Sequence, residues 1–122
     1  MKTLTINFEL LAKAGFPPAT FMRGETIFSE GDRGDQMYVI RKGEVEIERD
    51  GKIVETLTAG GIFGEMALID GSPRAASARA KTVCELAPIT EKTFVFMVHE
   101  TPFFALTVMR TLAERLRRWP PE

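Results

Sequence analysis

The sequence predicts a mainly β domain with flanking helices (α+β class): an antiparallel β-roll or jelly roll with one short inserted helix and two C-terminal helices. Nine of the ten glycines lie between Gly24 and Gly71, where they separate short apolar runs at turn-like intervals. Residues 44–48 alternate strictly between glutamate and a β-branched residue, which is typical of a strand with one solvated face. Asp50-Gly51 follows and indicates a hairpin.

Composition and charge indicate one globular domain. The 122 residues carry a net charge of −1, so there is no basic excess that would attract nucleic acid or an anionic membrane. The single cysteine, Cys84, excludes an internal disulfide and fits a reducing compartment. No apolar run approaches the ~18 residues of a membrane-spanning helix, and the first residues do not resemble a signal peptide. We therefore expect a cytoplasmic protein.

We expect a single domain over residues 1–122. A short apolar pattern closed by Gly15 and followed by Pro17-Pro18 predicts a small helix that caps the remainder of the chain. The three predicted parts are a helical cap (residues 1–16), the β-roll (20–88) and the C-terminal helices (90–119).

Several runs in the central part are predicted strands, at residues 26–29, 36–40, 44–48 and 52–57. In the third run, Val45 and Ile47 are expected to face inward. Residues 78–86 predict one or two further strands with Cys84 and Leu86 inward, where a lone cysteine acts as a small apolar filler. Turns that need positive φ account for the glycines between these runs, so the glycines support the fold and not a function.

The C-terminal part predicts helices. Residues 90–99 fit both a strand and a helix that Thr90 could cap. Residues 101–119 predict a clear helix, with Thr101 as N-cap, Pro102 in the first position and Pro120-Pro121 as the stop.

The apolar stripe of this last helix is broad. Glu114 and Arg118 can also pair across one turn of it. The stripe leaves room for a second contact besides the β-roll, either with a bound base or with another chain. It consists of Phe104, Ala105, Val108, Met109, Leu112, Leu116 and Trp119.

Residues 63–77 have the composition of a pocket for a phosphate attached to a sugar. The planar fork of Arg74 suits a phosphate, and Ala75 and Ala76 have no bulk, so that a ligand can approach their backbone N–H groups. Glu65 opens a short helical turn, whose N-terminus adds N–H donors, and its carboxylate can accept hydrogen bonds from hydroxyl groups. The plainer alternative is a surface salt bridge between Glu65 and Arg74 on an irregular turn.

This stretch resembles the phosphate-binding cassette of the cyclic nucleotide-binding domain family, which includes catabolite-activator-like proteins and protein kinase A regulatory subunits. The resemblance lies in Phe63-Gly64-Glu65-Met66-Ala67-Leu68 and, after a short linker, Pro73-Arg74-Ala75-Ala76-Ser77. Residues 24–45 are also similar to the β-roll pattern of the family. We call residues 63–77 the cassette. The resemblance favours a helix at residues 90–99.

The resemblance implies a regulatory module that binds a 3′,5′-cyclic nucleotide and whose C-terminal helices respond to it. It implies that Glu65 binds the ribose 2′-hydroxyl, that Arg74 binds the cyclic phosphate, and that the backbone amides of Ala67 and Ala75 complete the phosphate site. In the family, a threonine directly after the arginine favours cGMP. Because Ala75 stands there, cAMP is the expected ligand and cGMP the second choice. The implied ligand-binding residues are Phe63, Gly64, Glu65, Met66, Ala67, Arg74, Ala75, Ala76 and Ser77.

Other functions have less support from the sequence. A metal-dependent cupin needs two or three histidines, and His99 stands alone, so we expect no metal, no cofactor and no catalytic residue. A catabolite-activator-type DNA-binding protein needs a helix-turn-helix after the long helix, and the sequence stops at Glu122. Two alternatives stay open: a protein-interaction module of the same fold that has lost its nucleotide response or senses another ligand, and a homodimer or partner protein held through the C-terminal helix.

Overall fold

The computed structural model describes residues 8–13 and 15–118, and in them it has two four-stranded antiparallel sheets and four helices. The predicted β-roll with flanking helices is confirmed. In chain order the elements are α1 (Phe8–Lys13), β1 (Ala19–Phe21), β2 (Thr26–Phe28), β3 (Gln36–Lys42), β4 (Val45–Arg49), β5 (Lys52–Leu57), β6 (Ile62–Phe63), α2 (Glu65–Asp70), β7 (Ser77–Ala80), β8 (Cys84–Thr90), α3 (Glu91–Glu100) and α4 (Phe103–Arg118).

The two sheets have the strand orders β1-β8-β3-β6 and β2-β7-β4-β5. The longest pairing joins β3 to β8, from Gln36 opposite Thr90 to Lys42 opposite Glu85. The hairpin predicted at Asp50-Gly51 joins β4 to β5, with Arg49 opposite Lys52. Helix α2 is inserted between the last strand of one sheet and the β7 strand of the other.

Strand β3 is buried on both of its faces. Tyr38 and Ile40 belong to a core formed with residues of the second sheet, whereas Met37 and Val39 pack against the helices on the other side. This is why β3 is a continuous apolar run and not an alternating one. The helical side of this second core is made by Leu11, Met97, Phe104 and Val108.

The strands agree with the sequence where the pattern is long enough to show a period. Val45 and Ile47 are buried, and Cys84 and Leu86 are fully buried, as predicted. Strands β1 and β6, of three and two residues, were not predicted as separate strands. They are too short to show a period of two, and pairing with β8 and β3 defines them.

The ambiguous segment after β8 is a helix. Thr90 caps α3, because its side chain accepts a hydrogen bond from the backbone N–H of Thr93. Thr101 closes α3 with a backbone N–H bond to Met97, and α4 begins at Phe103, one residue later than predicted.

The predicted pair between Glu114 and Arg118 is wrong, because Arg118 Nη2 lies 3.1 Å from Glu55 Oε2 on β5 instead. A carboxylate on the neighbouring strand replaces the one on the same helix. The predictions for Trp119 and Pro120-Pro121, and for residues 1–7 and 14 of the N-terminal cap, fall on residues outside those described. None of the helices in residues 8–13 and 15–118 has the length and apolar character needed to cross a membrane.

Candidate functional site

The cassette places a helix of six residues between two glycines in the left-handed region. Gly64 precedes α2 with φ 77°, and Gly71 follows it with φ 72°. Side chains other than glycine rarely adopt these angles, so the two glycines fix where the helix begins and ends. The backbone N–H of Gly71 closes the last turn on the carbonyl of Ala67. Glu65 is therefore the first residue of α2.

Backbone hydrogen bonds to the β2–β3 loop hold Arg74 in place. Its N–H donates to the carbonyl of Asp32, and its carbonyl accepts from the N–H of Gly31, both at 2.8 Å. The side chain turns inward and is only 6% exposed. Nη1 donates to the carbonyl of Gly64 at 2.9 Å and Nη2 to that of Gln36 at 2.8 Å. The guanidinium carbon lies 4.1 Å from the centre of the Phe28 ring, a cation–π arrangement.

Two glycines leave the space that the Arg74 guanidinium occupies. A Cβ at position 34 would lie 2.3 Å from Nε of Arg74, and one at position 64 would lie 2.6 Å from Nη1. Gly34 has no positive φ, so the explanation of these glycines by turns alone is wrong at that position. Gly34 is required because the arginine passes directly over the backbone. This glycine belongs to the site and not only to the fold.

Arg74 is a buried cation without a carboxylate partner among the described residues. None of the ion pairs in this part of the chain includes it, and its Nε is buried without a hydrogen-bond acceptor. Burial lowers the pKa of Arg74, and nearby negative groups, among them Asp35 and Asp32, oppose the shift. The salt bridge to Glu65 that the sequence left open is not formed. An uncompensated buried cation is costly, and an anion in contact with it would offset that cost.

Glu65 has a partner that the sequence reasoning missed. Glu65 is 2% exposed, and its carboxylate accepts a hydrogen bond from Nη1 of Arg115, a residue of α4 that is itself 4% exposed. Nη2 of Arg115 donates to the carbonyl of Ile62. The signal was present in the sequence, because Arg115 lies at helical spacing from Phe104 and Val108 on the buried face of α4. A charged residue within an apolar stripe points to a buried ion pair.

These residues surround a cavity of about 50 Å³. All the predicted site residues except Ser77 contribute to the wall. The hydroxyl of Ser77 instead accepts a hydrogen bond from the backbone N–H of Glu30 at 2.9 Å. The wall residues are Phe28, Ile47, Phe63, Gly64, Glu65, Met66, Ala67, Pro73, Arg74, Ala75, Ala76 and Arg115.

Residues 18–101 match the family model of the cyclic nucleotide-binding domain. The catabolite activator protein of Thermus thermophilus is 31% identical, with a TM-score of 0.78 over 94% of this chain. The match covers 56% of the Thermus protein, so the chain spans little more than half of its length.

Structures of two further proteins are similar. A cyclic nucleotide-binding domain from Methylobacillus flagellatus KT is 26% identical, with a TM-score of 0.75 over 93% of this chain and 70% of that one. An EAL enzyme in its cAMP-bound form is 39% identical, with a TM-score of 0.62 over 83% of this chain and 28% of the enzyme. The same enzyme in a cGMP-bound form gives 40% identity and a TM-score of 0.64, with the same coverage.

Proposed function

Because the chain belongs to the cyclic nucleotide-binding domain family, we propose that it binds a 3′,5′-cyclic nucleotide between the cassette and α4 as a regulatory module. Arg74 is the observation that carries this proposal. Its guanidinium is buried at the cavity wall, is held by two backbone carbonyls and has no carboxylate partner among the described residues. Two of its five N–H donors are used in these bonds, so the others are available to a phosphate.

Glu65 supplies the complementary group. The carbonyl that Arg74 binds belongs to Gly64, the residue immediately before Glu65, and both Arg74 and Glu65 line the cavity. Both oxygens of a carboxylate are hydrogen-bond acceptors, so Glu65 can bind a ribose hydroxyl, which then competes with Arg115 for this carboxylate. A cyclic phosphate at Arg74 and a ribose 2′-hydroxyl at Glu65 satisfy both groups with one ligand.

Ala75 supports cAMP as the preferred nucleotide. The side chain after Arg74 has no hydroxyl that could bond guanine, and Ala75 is exposed at the cavity wall. The similar EAL enzyme has been solved with cAMP and with cGMP. We therefore propose cAMP as the stronger ligand and cGMP as the weaker one.

The contact between Arg115 and Glu65 supports a response of the C-terminal helices. Arg115 extends from α4 into the cavity wall and binds Glu65, so a ribose hydroxyl that binds Glu65 has to displace this side chain. Leu68 of α2 also packs in the same core as Phe104 and Val108 of α4. Movement of the cassette is therefore coupled to α4 through two contacts: the ion pair between Glu65 and Arg115, and the apolar packing of Leu68 in the core that it shares with α4.

Calorimetry of the purified protein with cAMP, cGMP and 5′-AMP tests the proposal. We expect cAMP to bind most tightly and Arg74→Ala to weaken it by about 2–5 kcal/mol, roughly thirty-fold to several thousand-fold in affinity. Arg79→Ala is the matched control, because Arg79 is an exposed arginine of β7 that pairs with Glu48. Wild-type affinity in a folded Arg74→Ala protein would refute the assignment.

An association of two copies through α4 is a second candidate, because part of its apolar stripe faces solvent. Met109 and Leu116 are 56% and 54% exposed, and with Leu106 and Ala113 they follow the three-four spacing of a coiled-coil seam. We propose that this seam joins two copies of the chain. Sedimentation of wild type and of a Met109→Glu, Leu116→Glu double variant tests this, and a wild type that stays monomeric at high concentration would exclude it.

A further inference from the structure

Arg115 has a second carboxylate behind it, on the side away from the cassette. Glu55 of β5 places Oε1 3.5 Å from Nε of Arg115, and its Oε2 lies 3.1 Å from Nη2 of Arg118. The Glu55 side chain is 15% exposed, so it is largely screened from water. The last turn of α4 is thereby held against the β-roll by a carboxylate that no sequence motif identified.

The contact between Glu55 and Arg115 is an ion pair without a hydrogen bond. Oε1 of Glu55 and Nε of Arg115 are both buried, and neither has a hydrogen-bond partner among the described residues. The Nη1 and Nη2 donors of Arg115 are meanwhile bound to Glu65 and to Ile62. A shift of roughly half an ångström would bring the Glu55–Arg115 pair into ordinary hydrogen-bond distance. The arginine therefore has one carboxylate that it binds and another that it nearly reaches.

The position of Arg115 gives the direction in which it can move. Its side chain contributes to the wall of the cavity and also to a larger groove between α4 and the segment from Glu55 to Ile62. Glu55 lines the groove and is not part of the cavity wall. A guanidinium pushed out of the cavity moves toward the groove, where Glu55 can accept its hydrogen bonds.

We propose that Glu55 is a positioning residue for nucleotide binding, the carboxylate that receives Arg115 when a ribose hydroxyl takes its place on Glu65. This inference rests on the proposed function. In Glu55→Gln the displaced guanidinium has no second carboxylate, so it stays on Glu65 and competes with the hydroxyl. The loss should therefore be specific to ligands that carry a 2′-hydroxyl.

The test measures dissociation constants for cAMP and 2′-deoxy-cAMP in wild type, Glu55→Gln and Glu85→Gln. Glu85 is the matched control, because it also pairs with two cations, Arg41 and Lys42. We expect Glu55→Gln to weaken cAMP about three- to thirty-fold and 2′-deoxy-cAMP less than about two-fold. Glu85→Gln should change neither constant. A purely structural role of Glu55 would weaken both ligands alike.

A second background tests whether Glu55 acts through Arg115. In an Arg115→Gln protein, adding Glu55→Gln should leave both dissociation constants unchanged, and Arg115→Met serves as the background if the glutamine variant does not fold. Three results would each overturn the inference. Glu55→Gln could lower the affinities for cAMP and 2′-deoxy-cAMP equally, Glu85→Gln could lower the cAMP affinity as much as Glu55→Gln does, or Glu55→Gln could have its full effect in the Arg115 variants. A wild type that binds no cyclic nucleotide refutes the proposed function as well, whereas normal binding with an unaffected Glu55→Gln refutes the inference alone.

Discussion

Gly34→Ala should weaken nucleotide binding while the protein stays folded. A Cβ at this position would lie 2.3 Å from Nε of Arg74 and 2.5 Å from its Cζ and Nη2. Ordinary contacts between heavy atoms are about 3.5–4.0 Å, so the guanidinium has to withdraw by roughly 1 Å or more. The atoms in conflict are the end of a flexible side chain, so the backbone can keep its course while the hydrogen bonds to Gly64 and Gln36 are lost.

The structure also sets the expected size of the effect. A hydrogen bond to a charged group contributes about 1.5–3 kcal/mol, so a displaced Arg74 should weaken cAMP binding about ten- to 150-fold. Two side-chain bonds to the backbone are lost in the unliganded protein, but the displaced guanidinium regains contact with water, so the free energy of unfolding should fall by only about 1–3 kcal/mol. Calorimetry measures the first quantity and denaturant unfolding the second.

Gly51→Ala is the matched control. Gly51 lies in the β4–β5 hairpin at φ 77° with nothing within 4 Å of an added Cβ, so alanine there adds backbone strain of about 1–3 kcal/mol and leaves Arg74 untouched. The two variants should be destabilised alike, while only Gly34→Ala loses cAMP affinity. A folded Gly34→Ala protein with wild-type affinity would refute the reasoning, as would a similar affinity loss in Gly51→Ala.

Three further predictions concern the ligand and the response. Wild type should bind 2′-deoxy-cAMP about 1.5–3 kcal/mol more weakly than cAMP, and Glu65→Gln should reduce that difference in calorimetry; equal binding of the two nucleotides to wild type would show that Glu65 does not contact the ribose. Ala75→Thr should raise cGMP affinity about two- to twelve-fold relative to cAMP, since it adds one neutral hydrogen bond, and a larger gain for cAMP would place base selectivity elsewhere. Amide hydrogen exchange should slow in residues 103–118 as well as in 63–77 when cAMP is added, and slowing limited to 63–77 would exclude a response of α4.

The sequence predicted those parts of the molecule whose signals are local. The alternation of glutamate with β-branched residues identified β4, and the glycines between short apolar runs identified the β-roll. The contiguous pattern from Phe63 to Ser77 identified the cassette. Each of these signals lies within one element or one turn, where side-chain period and turn chemistry are set by neighbouring residues. This is why the fold class and the position of α2 could be predicted before the structure.

The rest depends on contacts between residues distant in sequence. Glu65 and Arg115 are 50 residues apart, and their ion pair exists only because α4 packs across the roll. Gly34 looks like another turn glycine until the path of Arg74 is known. The same holds for Arg118, where a helical partner was predicted and the actual partner, Glu55, lies 63 residues away. Local pattern shows which residues are charged, and tertiary packing decides which of them meet.

Helix α4 carries Arg115 on its inner face, while Met109 and Leu116 lie exposed on its outer face. A binding partner that occupies the outer face and favours one position of the helix also favours one arrangement of Arg115 and Glu65. The two binding events then share a coupling free energy, and each changes the affinity of the other by the same factor. The affinity of this chain for a nucleotide would accordingly depend on the concentration of whatever occupies the outer face of α4. For a second copy of the chain, it would depend on protein concentration itself.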